Sequence, residues 1–361
     1  MSGKSILITA PSLNTQHNVS GISSVANFII SNNSSCNYKH FELGRKDNEK
    51  RNLAWLFKII RTTFKWASAI KDKEIALVHF NFPLSKPSVL RDAPLLLLTK
   101  LFRKKMIIHL HGGDYLTSKK APGWMRFILK RVFSGNNPVI VLSPLEKEVI
   151  IAEYKIKNVT VLPNCVDLRD AKTFRREFND DGVFNILSIG RISVPKGIER
   201  IYQSLVLLKK RNVKFNFYLA GTGPEEQEYK EKFTALLGDA FHFEGIVSGK
   251  AKTALFERCN VYLLPSFFEG LPMSLLESMS FGLVPIVTGV GSIKYVVTTG
   301  DTGVIVDKDP AAETDAAIQS FETDKTLLQK ISSNASRFIF EHYNPEDYIT
   351  RLNILYEGLA G

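Results

Sequence analysis

Three cysteines in 361 residues, Cys36, Cys165 and Cys259, are odd in number, far apart and without a CxxC pair. That pattern cannot build a disulfide framework and points to a reducing compartment. Long apolar runs are also missing: the longest, Ala93 to Leu98, falls far short of the ~20 residues a membrane-spanning helix needs. Met1 to Ala10 leads straight into an apolar strand with no small-residue cleavage site, so no secretory signal is read there. The sequons at Asn18, Asn33, Asn158 and Asn334 are then chance matches. No sequence repeat and no recognised nucleic-acid motif is present, and a nucleic-acid partner is not expected. These absences together imply a cytoplasmic protein.

What is present suits two ordinary soluble domains. The chain is 44% hydrophobic with a mean hydropathy of −0.03, and its length exceeds what a single core of common size needs. The charge is unevenly placed: up to Val166, 25 Lys and Arg stand against 10 Asp and Glu, a balance of +15, while the remaining 22 against 26 give −4. The first half therefore seeks an anionic partner and the second does not. Within that half, Arg45 to Glu74 interleaves Leu53, Trp55, Leu56, Phe57, Ile59, Ile60, Phe64 and Trp66 with Lys58, Arg61 and Lys65. Such a segment reads either as an interfacial amphipathic helix or as a core-packed helix with a solvated basic face. Basic clusters at Arg103-Lys104-Lys105, Lys119-Lys120 and Lys130-Arg131 favour an anionic surface.

Along the chain, short apolar strands alternate with glycine turns and helices, the signature of doubly wound α/β domains. Ser5 to Thr9 is followed by Ser20-Gly21 and a helical pattern from Ile22 to Ile30. Ala76 to Phe80, Met106 to His111, Val139 to Ser143 and Val159 to Asn164 supply further strands, and Asp170 to Gly182 reads as a linker. His109 and His111 share one face of their strand, but no third ligand of suitable spacing accompanies them and a metal site is not expected.

After the linker the pattern repeats. Asn185 to Ile189 runs into Gly190-Arg191-Ile192-Ser193-Val194-Pro195-Lys196-Gly197 and a helix from Ile198. Arg191 and Lys196 would place two cations near one helix terminus, which together with amide donors suits a diphosphate. Phe215 to Ala220 leads into Gly221-Thr222-Gly223-Pro224, and Phe241 to Ile246 is a further strand. The stretch Leu264 to Gly282, LPSFFEGLPMSLLESMSFG, reads as a strand end, a loop on Glu269-Gly270-Leu271-Pro272 and a helix from about Met273, with Pro272 in its first turn. Glu269 and Glu277, eight positions apart, frame that helix start. Either acid alone reads equally well as a solvated helix residue; with Gly270, Pro272, Gly282 and Pro285 and two flanking strands, a binding role is the better reading.

The EGLPMSLLE stretch resembles the donor-site signature of retaining glycosyltransferases of family GT4, which have the GT-B fold. That resemblance implies two facing Rossmann-like domains, 1–166 for the acceptor and 167–343 for the donor, with the donor site in the cleft between them and the helix of 344–361 returning to the first. It implies a nucleotide diphosphate sugar as donor, no metal or other cofactor, and phosphate contacts from Arg191 and Lys196. By the same resemblance Glu269 and the amides of Gly270, Leu271 and Pro272 hold the sugar, Glu277 holds the ribose, and Gly223 and Ile246 line the donor. Gly21 lets the backbone approach the diphosphate, with Ser20 where many relatives have another glycine. His111, at the strand end, faces the sugar or acceptor side, and Cys165 stands where relatives usually have glycine. A saccharide acceptor, often lipid-linked in such relatives, and reversible docking on the inner face of an anionic membrane complete the expectation. Competing readings are a sugar-nucleotide epimerase of the same fold and a non-catalytic, membrane-associated partner of a transferase.

Overall fold

Strands apolar on both faces must be covered by helices on both sides, and chains that alternate such strands with helices form parallel sheets. The computed structural model, which describes residues 5–14, 20–44, 53–117, 119–178 and 182–360, follows that rule in two compact units. One comprises Met1–Asn164 with Glu346–Gly361, the other Cys165–Pro345, so the division falls slightly before the Val166 boundary read from the sequence.

The first unit holds β1 (Ser5–Ala10), β2 (Asn37–Glu42), β3 (Ile75–Phe82), β4 (Met106–Leu110), β5 (Val139–Val141) and β6 (Val159–Val161). They form one sheet in the order β2-β1-β3-β4-β5-β6, with every pair parallel. Its core is anchored by Trp66, fully buried edge-on between Phe41 and Phe80 at 4.9 and 5.5 Å. The indole N–H donates to the carbonyl of Leu95 and to Thr99 Oγ1, both at 3.0 Å, as a buried indole must. The helix Pro345–Ala360 belongs to this unit because Tyr356 is buried in it, its hydroxyl 2.6 Å from His79 Nδ1.

The second unit holds β7 (Phe184–Ile189), β8 (Phe215–Ala220), β9 (Phe241–Gly245), β10 (Val261–Leu264), β11 (Val284–Val287) and β12 (Val304–Ile305), ordered β12-β11-β10-β7-β8-β9 and again all parallel. Its core packs Phe217 on Phe233 at 4.8 Å, with Leu205, Leu263, Ile286 and Phe321 around them.

Two elements differ from the sequence reading. The edge strand β2 carries no buried residue and so lacks the apolar signal by which the other strands are legible. Within the stretch read as a linker, Arg169–Thr173 is helical and Arg176 is mostly buried, donating to the carbonyls of Phe281 and Glu257 at 2.9 and 3.3 Å.

Candidate active site

In a doubly wound sheet, ligands gather outside the carboxyl ends of the strands, where the chain reverses its direction of progress across the sheet. The second unit has that switch between β7 and β10: β8 and β9 lie to one side of β7, β10 to β12 to the other. Because all strands are parallel, Arg191 and Lys196 after β7, Gly223 after β8, Ile246 after β9 and Glu269 to Pro272 after β10 emerge at the same edge.

Two of these side chains meet across the switch. Lys196 Nζ lies 2.7 Å from both carboxylate oxygens of Glu269. The Glu269 side chain is only 5% exposed, against 36% for Lys196, and Ser266 Oγ donates to its Oε1 at 2.7 Å. The carboxylate is therefore held by a cation and a hydroxyl before any ligand arrives, while the ammonium remains open to the exterior. Glu277 is paired too, with Lys252 Nζ at 2.7 Å, from the helix Gly249–Arg258. Between the acids lies Tyr262 on β10, fully buried, its hydroxyl 2.7 Å from Ser274 Oγ; burial and the two nearby carboxylates raise its pKa. Arg191 is half-buried in the same loop as Lys196.

Close backbone approach builds these loops. A Cβ on Gly221, whose φ is +131°, would sit 1.8 Å from the carbonyl oxygen of Gly190, and one on Gly223 would sit 2.0 Å from that of Ile192. Ile192 N–H donates to Thr222 O at 3.0 Å, so the loops after β7 and β8 are laced together. Gly223 is thus required by its neighbouring loop, which explains it without a ligand. The loop holding Glu269 is supported likewise: Ser292 N–H donates to Gly270 O at 2.9 Å.

Pro272 occupies the N-cap of the helix Met273–Ser280, with φ −66° and ψ 125°, rather than its first turn. Lacking an N–H, it donates nothing, and the amides that open the helix are those of Met273 and Ser274. Leu271 is buried and Gly270 half-buried.

Sequence reasoning missed Lys252, Ser266, Tyr262 and Arg200. The Arg200 guanidinium lies over the half-exposed Phe267 ring at 3.6 Å and donates to Pro265 O at 3.1 Å. None of these residues carries a motif: Lys252 and Arg200 read as ordinary polar helix residues, Tyr262 as a strand residue and Ser266 as a loop residue.

In the first unit the switch lies between β1 and β3. Gly21 opens the helix Gly21–Asn32 after β1, and nothing lies within 4 Å of where its Cβ would be. On β3, Asn81 Nδ2 donates to the carbonyl of Thr9 on β1 at 2.6 Å, and its N–H to Thr9 Oγ1 at 3.0 Å. That fixes the amide, so Asn81 Oδ1, 2.7 Å from His111 Nε2, must accept the proton of that nitrogen. His111 Nδ1 then carries the lone pair. Burial, reinforced by the nearby His79, pulls the His111 pKa down to about 3, which keeps the ring neutral. Beside it, the His109 ring lies tilted by 36° at 4.1 Å, and its Nδ1 lies 3.1 Å from His79 Nε2. Among the described residues no group of three or more His, Cys, Asp or Glu is arranged to hold a metal ion.

Two parallel, doubly wound units are the architecture of the GT-B fold, and the comparisons agree. Residues 170–338 match the family described as glycosyl transferases group 1, and residues 42–170 match glycosyltransferase family 4. The chain belongs to the GT4-type glycosyltransferases. It is 25% identical to the Bacillus subtilis glycosyltransferase YqgM over 67% of each chain. It is 26% identical, over 48% of this chain and 45% of the relative, to the Campylobacter jejuni N,N'-diacetylbacillosaminyl-diphospho-undecaprenol alpha-1,3-N-acetylgalactosaminyltransferase. The structure of Anabaena HepE in complex with UDP and glucose superposes with a TM-score of 0.74 at 16% identity, covering 99% of this chain and all of that one. The chain spans less than half the length of some of the curated relatives it matches.

Proposed function

We propose that this chain transfers a sugar from a nucleoside diphosphate sugar to an acceptor hydroxyl with retention of configuration, at the carboxyl edge of its second sheet. The observation that carries this reading is the Lys196–Glu269 pair straddling the switch point, with Arg191 in the same loop and the start of the helix Met273–Ser280 close by in sequence. Donor diphosphate oxygens would draw on the Lys196 ammonium, releasing part of its hold on Glu269, whose carboxylate then accepts from sugar hydroxyls. Arg191 and Lys196 stabilise charge as it develops on the leaving diphosphate, and a phosphate oxygen takes the acceptor proton. With those cations and a helix terminus at the phosphates, the reaction is proposed to need no metal. Glu277, with Lys252 as its resting partner, is proposed for the ribose hydroxyls. The UDP and glucose held by HepE support this donor class.

The acceptor is proposed to be a lipid-linked saccharide, presented at the cytoplasmic face of an anionic membrane to which the chain binds peripherally. The helix Leu53–Lys71 supports this: Trp66 and Ile70 turn into the core, while Phe57, Ile60 and Phe64 are 71, 49 and 73% exposed. Exposed Lys58, Arg61 and Lys65 run beside them at the same helical spacing. The segment is therefore both core-packed and amphipathic outward. In the same unit, the helix Gly123–Phe133 leaves Trp124 and Phe127 exposed, with the Arg131 guanidinium 3.5 Å over the Phe127 ring. No helix among the described residues is long and apolar enough to cross a membrane. The diphospho-undecaprenol acceptor in the name of the Campylobacter relative fits the same reading.

The test is a panel of nucleotide sugars screened for thermal stabilisation, followed by transfer to short lipid-linked saccharides with anomer assignment of the product. A ligand at a hundredfold its dissociation constant stabilises by about 2.7 kcal/mol, well within detection. Stabilisation by none of the nucleotide sugars, or an inverted product, would overturn the proposal.

A further inference from the structure

At the opposite end of the helix Met273–Ser280 from the donor loop, the second unit contains a cavity of about 480 Å³. Its walls come from the segment that follows the unit boundary, from Ser280 to Gly282, and from one face of the helix Lys325–His342. Among the described residues four cations line it, Lys172, Arg175, Arg176 and Arg337, and no Asp or Glu does. Among the described residues none of the four forms an ion pair with a carboxylate. Lys172, Arg175 and Arg337 are exposed and Arg176 is partly buried, and like charges gathered at one site repel one another unless an anion offsets them.

The hydrogen bonds show what remains on offer. Arg176 donates to the carbonyls of Phe281, Glu257 and Phe256, which account for three of the five N–H groups of a guanidinium. Burial pulls its pKa down to about 10, which leaves it charged at neutral pH. Arg175 Nη1 reaches the carbonyls of Lys172 and Phe174, and Arg337 Nη2 reaches Asn334 Oδ1 at 2.6 Å. Ser332 and Ser336 give their hydroxyl protons to the carbonyls of Gly282 and Ser280. They wall the cavity, and its charged donors toward a ligand are the four cations. Phe174, Phe178, Phe281 and Phe340 supply the apolar part of the lining.

We propose that this cavity is a second binding site, separate from the donor site, for a small phosphorylated organic molecule, its phosphoryl group held by the arginines and its body against the phenyl rings. A phosphate accepts bidentate bonds from guanidinium groups, and the volume is that of small-molecule pockets. The site rests on residues outside the transfer machinery, so it stands or falls independently of the proposed reaction.

Calorimetric titration with phenyl phosphate and with inorganic phosphate tests it. The variants are the Arg175→Ala/Arg337→Ala double variant, whose side chains are exposed and whose loss leaves the core intact, and Lys196→Ala as the donor-site control. Phenyl phosphate should bind at least tenfold more weakly to the double variant and equally to Lys196→Ala, and more tightly than inorganic phosphate to the wild type. A double variant that binds phenyl phosphate like wild type, or a loss confined to Lys196→Ala, would overturn the site. Equal binding of the two phosphates would overturn the role given to the phenyl rings. Co-sedimentation with phosphatidic acid vesicles separates two sources of the phosphoryl group: dependence on Arg175 and Arg337 assigns a lipid headgroup, and independence assigns a soluble ligand.

Discussion

The two units place their switch points on the same topological position and furnish them in opposite ways. Between β7 and β10 the second unit sets full charges, Lys196 against Glu269, supported by loops whose glycines touch one another. At the switch between β1 and β3 the first unit sets neutral groups, Thr9 and Asn81, with a His111 after β4 that burial keeps uncharged, and a Gly21 whose added Cβ would meet no described residue. On the proposed reading, the site of the second unit meets a diphosphate and that of the first offers a lone pair to a hydroxyl. Glycine turns that look alike in sequence therefore do different work: Gly221 and Gly223 serve the protein's own backbone, whereas Gly21 leaves space for something else.

The largest effect expected is on turnover. Lys196→Ala should lower kcat about 10²- to 10³-fold, the scale of one preorganised charge-stabilising donor, while the three neutral groups of the first switch tolerate single replacement far better. Steady-state kinetics of Lys196→Ala and Thr9→Val check this, and comparable rates for the two would break the contrast.

Next comes the pair of glycines. Gly221→Ala forces a methyl onto a backbone oxygen at a positive φ and should destabilise the second unit by about 3 kcal/mol. Gly21→Ala should leave the melting temperature unchanged and raise KM for the donor. Equal melting shifts would show that Gly21 is also structural.

The third expectation concerns pH. His79 and His111 have pKa values near 3 against 6.5 unfolded, and His109 lies well below its usual value, all through burial. Depressed values mean that this stability is present above 6.5 and lost as pH falls toward 3. Glu146 in the same unit runs the other way. Burial raises its pKa to about 7 from 4.5, so its contribution is full below 4.5 and lost as pH rises through 7. Three groups outweigh one, and the first unit should weaken on acidification below about 6.5. Glu146→Gln, which keeps an acceptor for the Leu142 N–H, should raise stability at pH 8 and not at pH 4. Melting curves across pH 4 to 8 that show no difference between Glu146→Gln and wild type would refute the buried-acid account.

The smallest effect lies on the basic face. Replacing Lys58, Arg61 and Lys65 by Glu should weaken co-sedimentation with anionic vesicles by about 1 kcal/mol per cation removed, and rising salt should weaken the wild type similarly. Equal binding to neutral vesicles would mean that the exposed phenylalanines alone make the contact.

Much of this was legible from the chain. Strand, glycine and helix recur in both halves because a strand buried on two faces needs an apolar run and its exit needs a glycine, and both leave marks in the sequence. The residues from Gly190 to Gly197 and from Glu269 to Glu277 were readable for the same reason. The strand β2 was not, since an edge strand with no buried side chain has no apolar pattern to display.

The sequence by itself determined two doubly wound units, a basic half and a near-neutral half, and it named the residues proposed to meet a diphosphate. Only the tertiary structure decided which charges pair. Lys196 meets Glu269, and Glu277 meets Lys252, because sheet order sets β10 beside β7 and the helix Gly249–Arg258 near the helix Met273–Ser280. Likewise, four cations scattered from Lys172 to Arg337 become one cavity only when the helix Lys325–His342 folds against Gly282. Periodicity reports which face of an element is buried, and it is silent on which element will cover that face, because parallel sheets join neighbours that are distant along the chain.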